Sequence, residues 1–513
     1  MWWYSACKAL CTNLTNTSRE MPKHINQNIN FAIVLRMQGF LLLIEAAFML
    51  FPLAISWAYD EPTALRSFLY STAITAGVGA AMSFGIKPRS TSMHKREGLM
   101  LTAIIWVFFS LFGMLPYLFS DTFNNVTDAF FETMAGFTTT GSSVIRYVEE
   151  IPRGVLFWRA MTQWIGGMGI ILFTLAVIPM LNQKGGIALF NAEVTGITHE
   201  RLRPRVSQTA KDLWIIYIGL TVVLTVLLYV GPMDLFDAIC HAMTTTSTGG
   251  YSTKNIGLDY WESSYVFIVV IIFMFIGGVS FSLIAAVGRG NFKRITKNNT
   301  LRWYCMTTLI TTVGIMAYMG YMGFLDTHSD RFIYSAFDTL SAITSTGFST
   351  FDYENSGEFV TVVLMVMMFF GGMAGSTSGG AKMDRLIVLL KNTANEFYRV
   401  LHTNSVRAVH IDGKPVPNHV VNKVNTFFAV YILIIMVVAL YLTFFGVPVF
   451  DAMYTSMSAI SNVGIGYGMT GPSSSWVVLH PAAKWVLAFE MMVGRLELFT
   501  VLVIFTRSFW KKD

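Results

Sequence analysis

Residues 138–142 read Thr138-Thr139-Thr140-Gly141-Ser142, a short polar segment between two long apolar segments. Three further segments resemble it: Thr246-Ser247-Thr248-Gly249-Gly250, Thr344-Ser345-Thr346-Gly347-Phe348 and Ser461-Asn462-Val463-Gly464-Ile465. The glycines taken as equivalent, Gly141, Gly249, Gly347 and Gly464, follow one another at intervals of 108, 98 and 117 residues. This period is too long for a solenoid repeat. It fits four units that each contain a helix, a half-helix, a loop and a second helix.

A short amphipathic segment precedes each of these glycines. In three units an aspartate begins the segment 12 or 13 residues before the glycine: Asp128, Asp237 and Asp451. In the third unit the acid, Asp338, is shifted inward. About ten residues are too few to cross a membrane, so the pattern predicts a re-entrant half-helix. We expect the aspartates to cap these half-helices and to favour their dipoles.

The composition indicates a membrane protein. Of 513 residues, 54% are hydrophobic and 13% are charged, whereas soluble domains contain about 25% charged residues. These values exclude collagen-like, disordered and soluble globular classes, and four cysteines are too few for a disulfide framework. The net charge of +6 does not indicate nucleic-acid binding, because the basic residues cluster between apolar segments.

Ten stretches are long and apolar enough to be membrane spans. They are residues 32–58, 67–86, 98–119, 155–181, 212–231, 263–288, 302–325, 359–390, 424–446 and 482–507. Basic connections alternate with non-basic ones, which places both termini in the cytoplasm. The predicted fold is all-α and polytopic, with four pseudo-symmetric repeats around one pore. Its parts are a cytoplasmic segment (1–29), two extra helices (30–90) and repeats at 91–185, 205–292, 300–400 and 420–513.

Four such loops can form an ion pathway. Non-helical backbone is tolerated at membrane depth only where it lines a water-filled cavity or is buried in protein. Rings of backbone carbonyls can replace the hydration shell of an ion, and the C-terminal ends of half-helices direct partial negative charge towards it. Small residues also permit close helix packing, but four copies in register favour a pore. The predicted filter residues are Thr139, Thr140, Gly141, Ser142, Ser247, Thr248, Gly249, Gly250, Ser345, Thr346, Gly347, Phe348, Asn462, Val463, Gly464 and Ile465.

Two features of the later helices are predicted to control this pathway. The eighth stretch contains five glycines in ten residues, and each glycine costs a helix about 1 kcal/mol relative to alanine. A helix broken at mid-membrane marks a functional site more often than a kink. The predicted gate residues here are Gly371, Gly372, Gly375, Ser376, Thr377, Gly379, Gly380 and Lys382. Arg495 lies inside the last stretch, where a charge normally faces the protein interior; an ion pair with Glu490 or Glu497 is the alternative explanation.

These residues resemble the Trk/Ktr/HKT superfamily of potassium transporters over about residues 30–510. Two helices precede the first repeat, which matches Trk-type membrane subunits. The four glycines match the filter glycines of the family, and a glycine at position 141 goes with potassium rather than sodium permeation. The resemblance implies that K⁺ is the transported ion and that the chain holds no cofactor.

The same resemblance implies how the pore is controlled and assembled. The glycine-rich stretch corresponds to an intramembrane loop that blocks the pore, in which Lys382 holds the loop or repels ions. Arg495 corresponds to an arginine beside the gate, where we expect an electrostatic barrier. Expected partners are membrane lipid, a second copy of the chain and a cytosolic TrkA-like nucleotide-binding subunit, with the basic segments 182–212 and 391–423 as candidate docking sites. The expected location is the bacterial inner membrane.

Two other functions stay open. A polytopic membrane enzyme would need converging nucleophile, base or metal ligands, but the nine histidines are scattered and His241 is interpreted as structural. A Na⁺- or H⁺-coupled transporter would need intramembrane carboxylates; candidates are Glu45, Glu132, Glu490 and Glu497. The parallel order of the repeats favours a pore without deciding the coupling ion. Arg159, Gln163 and Trp164 are interpreted as interfacial anchors and packing residues.

Overall fold

The computed structural model describes residues 29–88, 93–167, 169, 206–325, 327–350, 353–354, 356–405, 407–471 and 474–511. Several predicted features lie outside these residues. They are the N-terminal segment up to residue 28, the end of the fourth apolar stretch, the boundary between the first two repeats, and most of the basic segment 182–212.

Two helices, Phe31–Ala58 and Pro62–Gly85, precede the repeats and pack closely against each other. Glycines make this approach possible. A Cβ atom at Gly79 would lie 3.0 Å from the carbonyl oxygen of Gly39, and one at Gly39 would lie 2.6 Å from the amide nitrogen of Ser83. Small residues at a helix contact let two membrane helices approach through their backbones.

Each repeat consists of an outer helix, a half-helix and an inner helix. The outer helices are Lys95–Gly113, Val206–Val230, Asn299–Met322 and Asn418–Phe444. The half-helices are Val126–Phe137, Leu235–Thr246, His328–Ile343 and Val449–Ile460. The inner helices begin at Arg153–Gly167, Ser264–Gly277, Glu358–Phe370 and Pro481–Arg495. The half-helices are largely buried between the longer helices, so the protein core surrounds them.

Shorter elements connect these helices. Three inner helices resume after a break as Phe281–Gly288, Met383–Leu401 and Phe499–Leu502. Short helices occur at Leu115–Phe119, Lys293–Lys297 and Arg507–Trp510, and 3₁₀ turns at Val148–Glu150, Gly257–Trp261, Gly468–Thr470, Trp476–Val478 and Val503–Phe505. An antiparallel pair, β1 (His410–Ile411) and β2 (Lys414–Pro415), precedes the fourth outer helix, with His410 opposite Pro415.

The almost entirely helical, polytopic architecture agrees with the predicted fold class, but ten spans are not confirmed. Within the described residues, six helices are long and apolar enough to cross a membrane, or seven if Ser264–Gly277 and Phe281–Gly288 count as one span bent by 103°. The stretch 359–390 is divided between Phe370 and Met383, where its glycines predicted an interruption, whereas the break of 482–507 after Arg495 was not predicted. The bend in the sixth stretch was not predicted.

The aspartates of the half-helices do not have the capping role that was predicted for them. The side chain of Asn125 accepts a hydrogen bond from the amide of Asp128 at 2.7 Å, and that of Asp234 from the amide of Asp237 at 2.6 Å. Asn125 and Asp234 are therefore the N-caps. Asp128 and Asp237 lie one turn later, where a carboxylate still favours the helix dipole.

Candidate ion pathway

The four loops after the half-helices share one backbone conformation. Each half-helix ends at a cap residue: Thr138, Ser247, Thr344 or Ser461. The next residue has a φ of 53–55°: Thr139, Thr248, Ser345 and Asn462. Two residues later comes a glycine with a φ of 79–82°: Gly141, Gly250, Gly347 and Gly464. Residues 138–142, 247–251, 344–348 and 461–465 are therefore equivalent and are named loops 1 to 4.

This geometry corrects the predicted register of loop 2. Gly250, not Gly249, is equivalent to Gly141, so the choice of Gly249 was wrong. The position is fixed by the end of the half-helix, and Gly249 is the equivalent of Thr140. Gly249 is buried, whereas Gly250 and Gly141 are half-buried. Asp237 precedes Gly250 by 13 residues, the same interval as between Asp128 and Gly141.

The loops surround a common axis in chain order. A Cβ atom added to any of the four glycines would overlap a carbonyl oxygen of the next loop: Gly141 with Gly249, Gly250 with Thr346, Gly347 with Val463, and Gly464 with Thr140. The contacts close on themselves, so these carbonyls and glycines form a ring. Positive φ and this close approach both require glycine.

An open cavity lies on one side of this ring. It has a volume of about 580 Å³ and is lined by Gly141, Gly250, Gly347 and Gly464, together with residues that follow the loops. The predicted filter side chains are buried in the surrounding protein: Thr139, Thr140, Ser142, Ser247, Thr248, Ser345, Thr346, Phe348, Asn462, Val463 and Ile465. The loops therefore present backbone to the cavity, as carbonyl coordination of an ion requires.

A polar side chain in each half-helix braces the segment after its loop. This residue lies nine positions before the loop glycine: Glu132, His241, Asp338 and Thr455. The bonded pairs are Glu132–Val144 (2.8 Å), His241–Ser252 (2.9 Å), Asp338–Thr350 (3.1 Å) and Thr455–Thr470 (2.9 Å). The contact of His241 with Ser252 agrees with its interpretation as a structural residue. Glu132 also forms a 2.7 Å ion pair with Arg159, so its carboxylate is already engaged.

The glycine-rich stretch, residues 371–382, lies against the ends of the half-helices. The amide of Gly380 donates to the carbonyl of Ser461 at 2.9 Å, and the amide of Gly379 donates to the hydroxyl of Ser345. The hydroxyl of Thr377 donates to the carbonyl of Thr246 at 3.3 Å. Residues 371–382 thus contact three repeats at the face of the loops opposite the open cavity.

The break in the second inner helix supports the same stretch. The amide of Met373 donates to the carbonyl of Gly278, and the amide of Phe281 donates to the carbonyl of Gly375, each at 2.9 Å. Backbone groups freed by two breaks in helices therefore satisfy each other, as a buried backbone requires. This pairing explains why the sixth stretch bends.

The two cations expected at the gate have different places. The buried amine of Lys382 donates to the carbonyl of Ser378, so it holds the stretch from within. The guanidinium of Arg495 donates to the carbonyl of Thr377 at 2.9 Å and to that of Gly166 at 3.0 Å. It therefore joins the stretch to the first repeat, beside a cavity of about 60 Å³.

The two glutamates near Arg495 bind other residues. Glu497 forms an ion pair with Arg385, and Glu490 accepts a 2.7 Å hydrogen bond from Ser456.

A repeated glycine pair in the sequence marks the ends of the inner helices and was not among the predicted features. An apolar–Gly–Gly–apolar pattern ends three inner helices, at 166–167, 277–278 and 371–372, and the fourth reads Gly494-Arg495. A Cβ atom at Gly166 or Gly494 would overlap the carbonyl oxygen at the end of its own half-helix, Phe137 or Ile460. Arg495 therefore occupies the place of the second glycine in the other repeats.

Known proteins are similar to this chain in sequence and fold. The family model TrkH, described as cation transport protein, matches residues 65–512. The Trk system potassium uptake protein TrkH of Escherichia coli K12 is 32% identical over 491 residues, which cover 94% of this chain and 100% of the relative. TrkG of the same strain is 32% identical over 483 residues, 93% of this chain and 98% of the relative.

A solved structure agrees with both. The crystal structure of the potassium transporter TrkH from Vibrio parahaemolyticus has a TM-score of 0.83 and 30% identity, and the match covers 94% of this chain and 100% of that one. These similarities confirm the resemblance to Trk-type membrane subunits and the fold class. The chain belongs to the TrkH family of cation transport proteins.

Proposed function

We propose that this protein is the ion-translocating membrane subunit of a potassium-uptake system, and that K⁺ passes through the ring formed by loops 1 to 4. The observation that carries the proposal is the closed ring of four glycines and four carbonyls. A dehydrated K⁺ needs several oxygen ligands at once, and such a ring supplies them from the backbone. Four half-helices end at the ring, and their dipoles favour a cation there.

In this proposal residues 371–382 are the gate, in its closed position. Their amides and the Thr377 hydroxyl occupy acceptors at the ends of the half-helices, on the side away from the open cavity. An ion leaving the ring would meet this stretch and the Arg495 guanidinium. Opening must break the bonds that Gly380 and Thr377 donate, which frees the carbonyls of Ser461 and Thr246 to accept from water or to bind the ion.

The surroundings expected for a Trk-type subunit belong to the same proposal: the inner membrane, cytoplasmic termini, a homodimer and a cytosolic TrkA-like partner. The relatives are named as parts of a Trk system, which supports association with other components. The helix Met383–Leu401 follows the gate directly and exposes Phe397, Val400 and Leu401. A partner bound there could pull on the gate stretch through this helix.

Rubidium uptake into liposomes that contain the purified protein tests the proposal. Gly141→Ser places a side chain against the carbonyl of Gly249 and demands an unfavourable φ, so uptake should fall and K⁺ should compete with what remains. Gly314→Ser is the matched control, because a Cβ atom there meets open space. Equal uptake by both variants would exclude the ring as the pathway. A dependence on an imposed Na⁺ or H⁺ gradient would favour the coupled-transport alternative.

A further inference from the structure

Gln163 reaches from the first inner helix into loop 2. Its amide nitrogen Nε2 donates to the carbonyl of Gly249 at 2.6 Å, and its Oε1 accepts from the amide of Tyr251 at 3.1 Å. Both partners belong to the backbone on either side of Gly250. Gln163 is fully buried, so it is neither an interfacial anchor nor a simple packing residue, and that interpretation of the sequence was wrong.

Arg159, one turn earlier on the same helix, extends this contact. Its guanidinium donates to the carbonyl of Ser252 at 2.8 Å and lies 3.5 Å from the centre of the Tyr251 ring. It is also buried and paired with Glu132, so its interpretation as an anchor was wrong as well. The hydroxyl of Tyr251 in turn donates to the carbonyl of Glu132 at 2.9 Å. The first repeat therefore holds residues 249–252 at several points.

The side chain of Gln163 explains the glycine at position 249. A Cβ atom at Gly249 would lie 2.5 Å from Oε1 and 2.9 Å from Nε2 of Gln163. A side chain at position 249 would therefore displace the amide group that makes the two hydrogen bonds. The φ of Gly249 does not require glycine, since it is not among the positive-φ residues. Glycine is required at position 249 because the Gln163 side chain occupies the space that a Cβ atom would need.

The other repeats carry a different pair of residues at these two places. The position of Gly249 is held by Thr140 in loop 1, Thr346 in loop 3 and Val463 in loop 4. The position of Gln163, three residues before the first glycine of the pair, is held by buried methionines: Met274, Met368 and Met491. The inner helix that carries a glutamine is therefore followed around the ring by a loop with glycine at the position of Gly249. Each inner helix that carries a methionine is followed by a loop with threonine or valine at that position.

We propose that Gln163 is a positioning residue that fixes the Gly249 carbonyl as a ligand of the ring, and that the Gln163–Gly249 pair thereby sets the preference for K⁺ over Na⁺. The inference rests on the proposed function, since it needs the ring to conduct. The Gly249 carbonyl stands where loop 1 touches loop 2. A shift of this one oxygen changes the spacing of ligands around the ion, and that spacing decides between cations of different radius.

Paired substitutions test the inference, with rubidium and sodium uptake measured on the same liposome preparations. Gln163→Met removes both hydrogen bonds and should lower the ratio of Rb⁺ to Na⁺ uptake by about five- to tenfold, the effect expected from the bond to the Gly249 carbonyl alone. Gly249→Thr should abolish Rb⁺ uptake, because Gln163 still fills the space. The double variant recreates the Met–Thr combination of the other repeats and should recover selective uptake. Gln38→Met is the matched control: Gln38 is a buried glutamine outside the repeats, with no hydrogen-bond partner for its amide among the described residues.

The outcomes separate the two proposals. Uptake of Rb⁺ by the unmodified protein, inhibited by K⁺, supports the proposed function whatever the Gln163 and Gly249 variants do. If Gln163→Met then retains the wild-type ratio, or if the double variant transports no better than Gly249→Thr, the positioning role is refuted. A thermal unfolding curve on each variant identifies misfolding. The Gln163→Met ratio decides the question even if Gly249→Thr does not fold. If neither the unmodified protein nor a variant that lacks residues 371–380 takes up Rb⁺, the proposed function itself fails.

Discussion

Replacing Arg495 by alanine should open the pathway in the absence of any partner. The guanidinium donates to the carbonyl of Thr377 in the gate stretch and to that of Gly166 in the first repeat. Alanine removes both bonds and also removes a positive charge beside the route of a cation. Neither loss disturbs loops 1 to 4 directly, so the ring should keep its selectivity while the gate loosens.

The size of the effect follows from the two contacts. A hydrogen bond from a charged donor contributes about 1.5–3 kcal/mol. If opening breaks both, the lower value gives about 3 kcal/mol in favour of the closed gate, or about a 150-fold change in the ratio of closed to open protein. The rise in flux stops where the open form becomes predominant, so at least a tenfold increase in uptake is expected.

Initial rates of rubidium uptake into liposomes measure this increase directly. Arg495→Lys serves as the control for charge, since it keeps the cation but cannot reach two carbonyls with one planar group. If the bridge matters, Arg495→Lys should leak to an intermediate degree. Uptake by Arg495→Ala within twofold of the unmodified rate, in protein that unfolds at the same temperature, would show that Arg495 does not hold the gate closed.

Three other results are expected. Gly379→Ala should raise uptake, because the added Cβ atom would overlap the carbonyl oxygen of Ser461 and displace the gate; an unchanged rate would contradict the closed contact. Lys484→Met should lower the free energy of unfolding by about 3 kcal/mol, because it removes the nearly buried ammonium group that lies 2.6 Å from the Asp128 carboxylate. Adding Asp128→Asn should restore part of the loss. Burial raises the pKa of Glu354, in the connection after loop 3, above its usual value. The folded state therefore keeps its proton more readily than the unfolded state, and stability should fall as pH rises through the usual and then the raised pKa. Unfolding temperatures of Glu354→Gln that show the same pH slope would exclude this cause.

The four-fold repeat could be predicted from the sequence because each loop requires particular residues within a short segment. A half-helix needs about ten residues, a cap and a glycine at positive φ, and each of these leaves a readable trace. The glycine-rich stretch, residues 371–382, and Arg495 could be singled out for a similar reason, since both are costly inside a membrane helix. Their predicted places beside one another agree with the contact between Arg495 and Thr377.

The register of loop 2 could not be obtained from the same traces. Gly249 and Gly250 are adjacent, and Thr-Gly occurs in loops 1 to 3, so likeness of letters favours the wrong glycine. The structure decides by the end of the half-helix at Thr246. The interval of 13 residues from Asp237 to Gly250 would have been the better guide. The two hydrogen bonds of Gln163 could not be predicted from neighbouring residues, because its partners lie 86 and 88 residues away.

The repeats depart from four-fold symmetry at different positions. Within the described residues, the first repeat alone carries a glutamine against the next loop, and the third alone places a glycine-rich stretch, residues 371–382, against the ends of the half-helices. The fourth replaces the second glycine of the pair by Arg495. At that place Gly167 and Gly278 lie against the caps of the following half-helices, where a Cβ atom would approach Ser247 and Thr344 within 2.9 Å. Glycine at this place lets neighbouring repeats pack closely against each other. A long side chain fits there only if it extends away and bonds to the backbone of other segments. Arg495 does so: it reaches the carbonyls of Thr377 and Gly166, and in the proposed function this contact holds the gate closed.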